Sequence, residues 1–189
     1  ELKKIKEICT KHNLKYHLDG ARLWNALVAK KQHPKVYGEL FDTISVCLSK
    51  GLGCPVGSLL LGSADFIARA KRVRKMLGGG MRQTGILAAA GLYALQHNID
   101  RLADDHANCQ RLAEGLTALT AQLPVLQGKL VALPVQTNIL FTDVELSLAE
   151  QLVPYLAERG IKLTGSNYQS ANGSIKRLRW VCHLDISSA

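Results

Sequence analysis

With 189 residues, 47% of them hydrophobic and 21% charged, the chain has the make-up of one large folded domain or one and a half. That excludes a disordered tail, a collagen-like repeat and a disulfide-stapled miniprotein. The net charge of +9 suits nucleic acid, an anionic membrane or an anionic small ligand as partner.

The five cysteines, Cys9, Cys47, Cys54, Cys109 and Cys182, are odd in number and hold no close pair. Neither a disulfide framework nor a zinc ribbon is expected, and a reducing, cytoplasmic compartment is the default. The longest apolar stretch, Ile86 to Leu95, falls far short of the ~20 residues of a membrane helix, so no span is expected.

In chain order, residues 1 to 12 carry Leu2, Ile5 and Ile8 at helical spacing, an amphipathic helix already under way and a hint of a fragment. Leu14 to Leu18 reads as a short strand stopped by Asp19-Gly20, and Thr43 to Leu48 and Val56 to Leu61 as buried strands. Ser63 is a candidate N-cap for a helix reaching Met76, where Gly78-Gly79-Gly80 must break it. Gly85 to His97 is a small-residue helix, and Ile99 to about Leu123 a long one ended by Pro124.

Beyond Pro124 the texture changes. Strands are expected at Lys129 to Leu133, Asn138 to Phe141, Ile161 to Leu163 and Leu178 to Cys182, with a helix at Leu146 to Glu158 that Pro154 should kink or interrupt. The expectation is an α/β part over 1–123 followed by a small α+β unit over 124–189.

Four constellations could carry chemistry. His17-Leu-Asp19-Gly-Ala-Arg22 sets a carboxylate and a guanidinium just past a strand, where open α/β sheets present ligands. The plainer reading is a turn in which Asp19 caps the next helix. Ser49-Lys50-Gly51-Leu-Gly53 again follows a buried strand, and its glycines leave room for a group to approach the backbone. A partly desolvated ammonium there would become a nucleophile toward aldehydes, although an exposed turn lysine fits the same residues.

If the two strands are neighbours, their ends lie about 5 Å apart, or ~10 Å with one strand between them. That is the span of a substituted pyridine ring. A lysine joined to the aldehyde of pyridoxal phosphate, with an aspartate on the ring nitrogen, is the recognised arrangement for that cofactor.

The third constellation is the basic run Arg69, Lys71, Arg72, Arg74 and Lys75, leading into Gly78-Gly-Gly-Met81-Arg82. Most of it reads as a solvated helix face. Nucleic acid is not expected as a partner, because aromatics are few and no recognition motif is present. Lys75 and Arg82 are singled out as phosphate contacts beside a glycine-rich turn.

The fourth is Arg179, which shares a strand face with Arg177 and could clamp an α-carboxylate, or could be a plain surface arginine. The six histidines show no metal-ligand spacing, so no metal site is expected.

Three segments, His17-Leu-Asp-Gly-Ala-Arg22, Cys47-Leu-Ser-Lys50-Gly-Leu-Gly-Cys-Pro-Val-Gly57 and Lys75-Met-Leu-Gly-Gly-Gly-Met-Arg-Gln83, closely resemble the low-specificity L-threonine aldolases. The resemblance runs through essentially the whole chain and is most specific from Phe41 to Leu95. It implies a partial large domain of pyridoxal-phosphate fold type I with a small C-terminal domain.

It further implies that Lys50 holds the cofactor aldehyde covalently and that Asp19 pairs with the ring nitrogen. Arg22 and Arg179 would hold the substrate carboxylate, Arg179 less securely because Arg177 is so near. Lys75 and Arg82 would reach the cofactor phosphate of a neighbouring subunit.

The implied reaction is retro-aldol cleavage of L-threonine or L-allo-threonine to glycine and an aldehyde, in a homo-oligomer, a dimer of dimers, with shared sites. Another pyridoxal-phosphate β-eliminating lyase of this fold, or a fragment inactive by itself, are the alternatives. No residue is an evident base for the β-hydroxyl. Against the family, the chain starts in the helix before the aspartate strand and stops after His183-Leu-Asp-Ile. The base, the glycine-rich phosphate cup and a stacking aromatic ring are therefore expected in an N-terminal part, and a last helix beyond the end.

Overall fold

The computed structural model describes residues 1–170 and 173–187. It divides into two compact units, Glu1–Leu102 and Ala103–Ala189.

The first unit opens with helix α1 (Leu2–Lys11), after which Asn13 takes a left-handed conformation and turns the chain. Strand β1 (His17–Gly20) leads into helices α2 (Leu23–Lys30) and α3 (Lys35–Leu40), and these into β2 (Thr43–Cys47). Then come β3 (Ser58–Gly62), α4 (Ala64–Met76) and α5 (Gly85–His97). The sheet order is β1-β2-β3, with β1 parallel to β2 and β3 antiparallel to it.

Along β2 the alternation is strict: Ile44 and Val46 are buried against Leu23 and Leu27 of α2 and against Phe41, while Thr43, Ser45 and Cys47 face the other way. A second cluster gathers Leu48, Leu52, Cys54, Ala94 and Leu102. Ser63 caps α4 by accepting the Phe66 N–H, as its position before a helical run suggested.

Several expectations need correction here. The first strand begins at His17 and not at Leu14, because Tyr16 is still engaged at the strand's edge, its N–H on Asp42 Oδ2 and its carbonyl under the Asp42 N–H. Strand β3 is not buried: Leu59, Leu60 and Leu61 are each more than 40% exposed, since β3 is the outer strand of this sheet. Helices α2 and α3 fill an interval to which the sequence pattern assigned no element.

The second unit takes in most of α6 (Leu102–Gln122), then a short 3-10 turn at Pro124–Leu126, β4 (Leu130–Ala132), β5 (Ile139–Glu145), α7 (Leu146–Glu158), β6 (Thr164–Ser170) and β7 (Gly173–Val181). Its antiparallel sheet has the order β4-β5-β7-β6. One face packs on the helices: Cys109 and Ala113 of α6 meet Leu140 and Trp180, and Ala149 of α7 meets Val144 and Leu178.

The two compact units divide at Leu102–Ala103, at the start of α6, and the helix lays its apolar stripe on this second sheet. The Trp180 indole N–H donates to Thr142 Oγ1 at 2.9 Å, so two buried polar atoms satisfy each other.

Two details differ from expectation. Residues 161–163 are not a strand: Gly160 is left-handed and the Ile161 N–H still donates to the Leu156 carbonyl, closing α7 before β6 begins at Thr164. Pro154 sits inside α7 without ending it, because both Pro154 and Glu150, whose carbonyl loses its partner, lie on the exposed side. Among the described residues no helix is long and apolar enough to cross a membrane, and no group of three or more His, Cys, Asp or Glu could hold a metal ion.

Candidate active site

Asp19 lies in β1, one residue before its end, and Lys50 three residues past the end of the adjacent β2. β1 and β2 run parallel with Asp19 opposite Ser45 and Gly20 opposite Val46, so the next residues of each emerge at the carboxyl edge of the sheet, about 5 Å apart in the pairing direction. The condition on which the sequence argument rested, that the two strands be neighbours, holds. Asp19 shares the face of Ser45, the one opposite the buried Ile44 and Val46.

Asp19 is exposed, and its Oδ1 accepts the Ala21 N–H at 3.1 Å. The turn-capping reading is therefore realised by one oxygen. Oδ2 has no partner among the described residues and remains able to accept a cationic N–H. Gly20 lets the two strands close up: a Cβ there would sit 2.7 Å from the Ser45 carbonyl oxygen. Three residues beyond Asp19, the half-buried Arg22 stands in the N-cap position of α2.

The lysine loop is anchored on either side of Lys50. Leu48 and Leu52 are buried, while Lys50 between them is exposed with no side-chain partner among the described residues. The Gly53 N–H donates to the Lys50 carbonyl at 2.9 Å and the Cys54 N–H to the Leu48 carbonyl at 3.1 Å, closing the turn. Gly53 and Gly57 have φ of +71° and +118°, values that exact little from glycine alone.

Two side chains that sequence reasoning passed over abut this loop. The Asn98 amide donates to the Leu52 carbonyl at 2.8 Å. Asn25, 3% exposed, lies beside Gly51. A polar residue among the apolar positions of Trp24 to Val28 was the available signal for Asn25. Asn98 looked like an ordinary helix end.

Lys75 and Arg82 lie elsewhere, on the exposed segment where α4 stops. The Gly79 N–H donates to the Arg74 carbonyl, and the Lys75 ammonium folds over Gly80, where a Cβ would come within 3.2 Å of Nζ. No contact joins either cation to Asp19 or Lys50 among the described residues.

In the second unit, Arg177 is committed to Asp143, which raises the guanidinium's pKa further, whereas Arg179 is exposed and unpaired among the described residues. A cleft of about 730 Å³ lined by Leu60, Phe66, Ala70, Val73 and Leu77 together with two arginines contains none of the six expected residues and offers no nucleophile.

The family model described as beta-eliminating lyase matches residues 1–145. Over 189 residues the chain is 43% identical to low-specificity L-threonine aldolase 1 of Arabidopsis thaliana, covering 98% of this chain and 49% of that protein. The low specificity L-threonine aldolase of Escherichia coli K12 is 43% identical over 186 residues, 98% of this chain and 50% of its own length.

Among solved structures, a candidate L-allo-threonine aldolase from Listeria monocytogenes superposes with a TM-score of 0.77 at 23% identity, covering 97% of this chain and 50% of that one. The chain thus spans about half the length of the curated relatives it matches.

Proposed function

The chain belongs to the beta-eliminating lyase family, and from that premise we propose that the whole protein cleaves L-threonine, L-allo-threonine and related β-hydroxy-α-amino acids to glycine and an aldehyde. The family and its structural neighbours are pyridoxal-phosphate enzymes, and the fold is the α/β architecture of their fold type I. When bound, that cofactor supplies an electron sink for a bond broken beside an amino group.

The single observation that carries the reading is that β1, which holds Asp19, runs parallel to and beside β2, whose carboxyl end leads to Lys50 three residues on. The residues suit the group: Asp19 keeps one carboxylate oxygen without a partner among the described residues, and Lys50 is exposed between the buried Leu48 and Leu52. Asp19 would keep a ring nitrogen protonated by accepting its N–H, and Lys50 would supply the amine that holds the aldehyde and yields it to the substrate. Names of relatives that act on threonine support the substrate class.

In the reaction the Cα–Cβ bond breaks as the β-hydroxyl loses its proton. The hydroxyl carbon leaves as the aldehyde, and the α-carbon takes up a proton to become glycine. Arg22 and Arg179 would hold the α-carboxylate, and Lys75 and Arg82 would offer cations to the phosphate across a subunit boundary in a homo-oligomer, a dimer of dimers. Both cations lie on an exposed segment at the end of α4, open to a neighbouring subunit. Five free cysteines support a reducing, cytoplasmic setting.

The test compares the whole enzyme with its Lys50→Ala variant after loading with pyridoxal phosphate. A borohydride-reducible visible band and acetaldehyde release from L-threonine are expected for the first and not the second. An unaltered band in the variant would overturn the assignment of Lys50. Ammonia and an oxo acid in place of glycine and an aldehyde would move the protein to another reaction of the same family.

A further inference from the structure

We propose that Asn98, with Asn25 behind it, is a positioning residue for Lys50: the two carboxamides fix the turn on which the lysine stands and touch neither substrate nor cofactor. The proposal rests on the reading of Lys50 as the lysine that holds the aldehyde.

The loop from Ser49 to Gly57 lies outside both strand ladders, and three of its residues are glycines at 51, 53 and 57. Backbone hydrogen bonds close the turn on itself, and its remaining freedom to shift is limited by groups from elsewhere. The reach of a lysine amine is set by where its backbone stands, so a loose turn spreads the amine over many positions.

Three contacts remove that freedom. Leu52, 1% exposed, plugs the turn into the apolar cluster with Ala94 and Leu102. Its carbonyl, two residues past Lys50, accepts the Asn98 Nδ2–H at 2.8 Å. Asn98 is the C-cap of α5, and its own backbone N–H donates to the Ala94 carbonyl at 2.8 Å, so one residue ties the helix end to the lysine turn from both its backbone and its side chain.

On the other side, Gly51 is backed by α2. A Cβ at Gly51 would lie 2.8 Å from Leu102 Cδ2 and 3.2 Å from Asn25 Oδ1, with Asn25 Nδ2 at 3.6 Å. The residue next to Lys50 is thus pressed against a buried carboxamide and a buried leucine. The lysine's exposure and its fixity are separate: its side chain has no partner among the described residues, while Gly51 and Leu52 on its C-terminal side are held by Asn25, Leu102 and Asn98.

A merely structural role predicts that any donor reaching the Leu52 carbonyl will do, since an unsatisfied buried acceptor is what costs stability. A positioning role predicts sensitivity to the length of the arm. Asn98→Gln separates the two, because it keeps a donor while lengthening the side chain by one methylene.

With the intact enzyme loaded with pyridoxal phosphate, Asn98→Gln is expected to unfold at the wild-type temperature. It should nevertheless move the pH midpoint of the visible lysine-dependent band by about half a unit. Its kcat should fall on the order of tenfold, with KM changing less. Asn98→Ala and Asn98→Asp, which lose the donor, should show larger shifts in the same direction.

A Gln variant with an unshifted band and wild-type kcat overturns the proposal, whether or not the Ala and Asp variants fold. Lys50→Ala is the control that separates the two readings. If it retains the band, the assignment of Lys50 fails and the positioning role goes with it. If it abolishes the band while Asn98→Gln leaves the band unmoved, only the positioning role fails.

Discussion

Arg177 grips Asp143 with two parallel hydrogen bonds, Nε to Oδ1 at 2.7 Å and Nη2 to Oδ2 at 2.8 Å. The fork geometry of guanidinium and carboxylate is satisfied within the sheet, across the β5–β7 pair where the two residues stand opposite each other. Of two arginines on one strand face, this leaves Arg179 with its donors uncommitted among the described residues.

The first prediction follows directly. Arg179→Ala should raise KM for L-threonine roughly ten- to a hundredfold, the worth of a charged hydrogen-bonded contact, with a smaller change in kcat. Arg177→Ala should lower the unfolding midpoint and leave KM within about threefold. Steady-state kinetics of both variants decide it, and an equal rise in KM for the two would remove the distinction drawn between them.

Asp19→Asn isolates charge from turn geometry. The amide oxygen can still accept the Ala21 N–H now held at 3.1 Å, so the unfolding midpoint should stay near that of the wild type. The carboxylate is lost, and kcat should fall by about a hundredfold or more, the scale seen when a preorganised electrostatic partner is removed. If the variant instead lost stability and kept its turnover, Asp19 would be a turn residue and nothing more.

Gly20→Ala should be more damaging than a glycine-to-alanine change usually is. The new methyl would stand 2.7 Å from the Ser45 carbonyl oxygen and 3.2 Å from Leu23 Cβ, and neither atom is the tip of a flexible side chain. The strands must part, at a cost of about 1–3 kcal/mol. Because Asp19 precedes Gly20, the Asp19–Lys50 spacing should widen too, so urea unfolding and cofactor titration should both register the change.

Acid stability should depend on Asp42. Its carboxylate accepts the Tyr16 N–H and the Lys6 ammonium, each at 2.9 Å, and these hydrogen bonds hold its pKa below the ordinary 3.8. The sign follows from the depressed value: the stabilisation is complete above pH 3.8 and is lost as the pH falls through the folded-state value. Asp42→Asn should therefore cost about 1 kcal/mol at neutral pH and nothing at the acid extreme. Paired urea titrations at several pH values would show the two curves converging, and a constant gap would count against this.

Thiol chemistry should sort the cysteines. Burial raises the pKa of Cys54 and Cys182, and the Cys109 thiol is pushed up to about 12 by burial and by its neighbour Cys182. All three should resist a thiol reagent in the native protein and react on denaturation. Rapid native labelling of Cys109 would contradict the packing of α6 on its sheet.

The legible part of this structure was the part that local chemistry writes. Ser63, Gly78 and the glycine run bracket α4, and the small residues from Gly85 to His97 form α5 over the expected span. Asp19 and Lys50 drew notice because each comes at or just past an apolar run and precedes a glycine, although β1 runs on through Asp19 and Gly20.

What escaped depended on distant partners. Whether Leu59 to Leu61 is buried depends on what lies beyond the outer strand, and its own residues say nothing of that. The start of β1 at His17 was decided by Asp42, and the pairing of Arg177 by Asp143, each far along the chain. Asn25 and Asn98 carry no motif, and only their contacts with the lysine turn give them a meaning.

The two strand pairings of the first sheet differ in how much chain each must close. β2 and β3 are joined through 48–57 and pair antiparallel, whereas β1 meets β2 only after 21–42 has folded across as α2 and α3. Longer closures and non-local pairings form more slowly. The lysine's strand should thus find its antiparallel neighbour early in folding and the aspartate's strand later. In refolding, far-UV ellipticity should recover ahead of the visible band, and the ability to bind cofactor should appear only when the crossover docks.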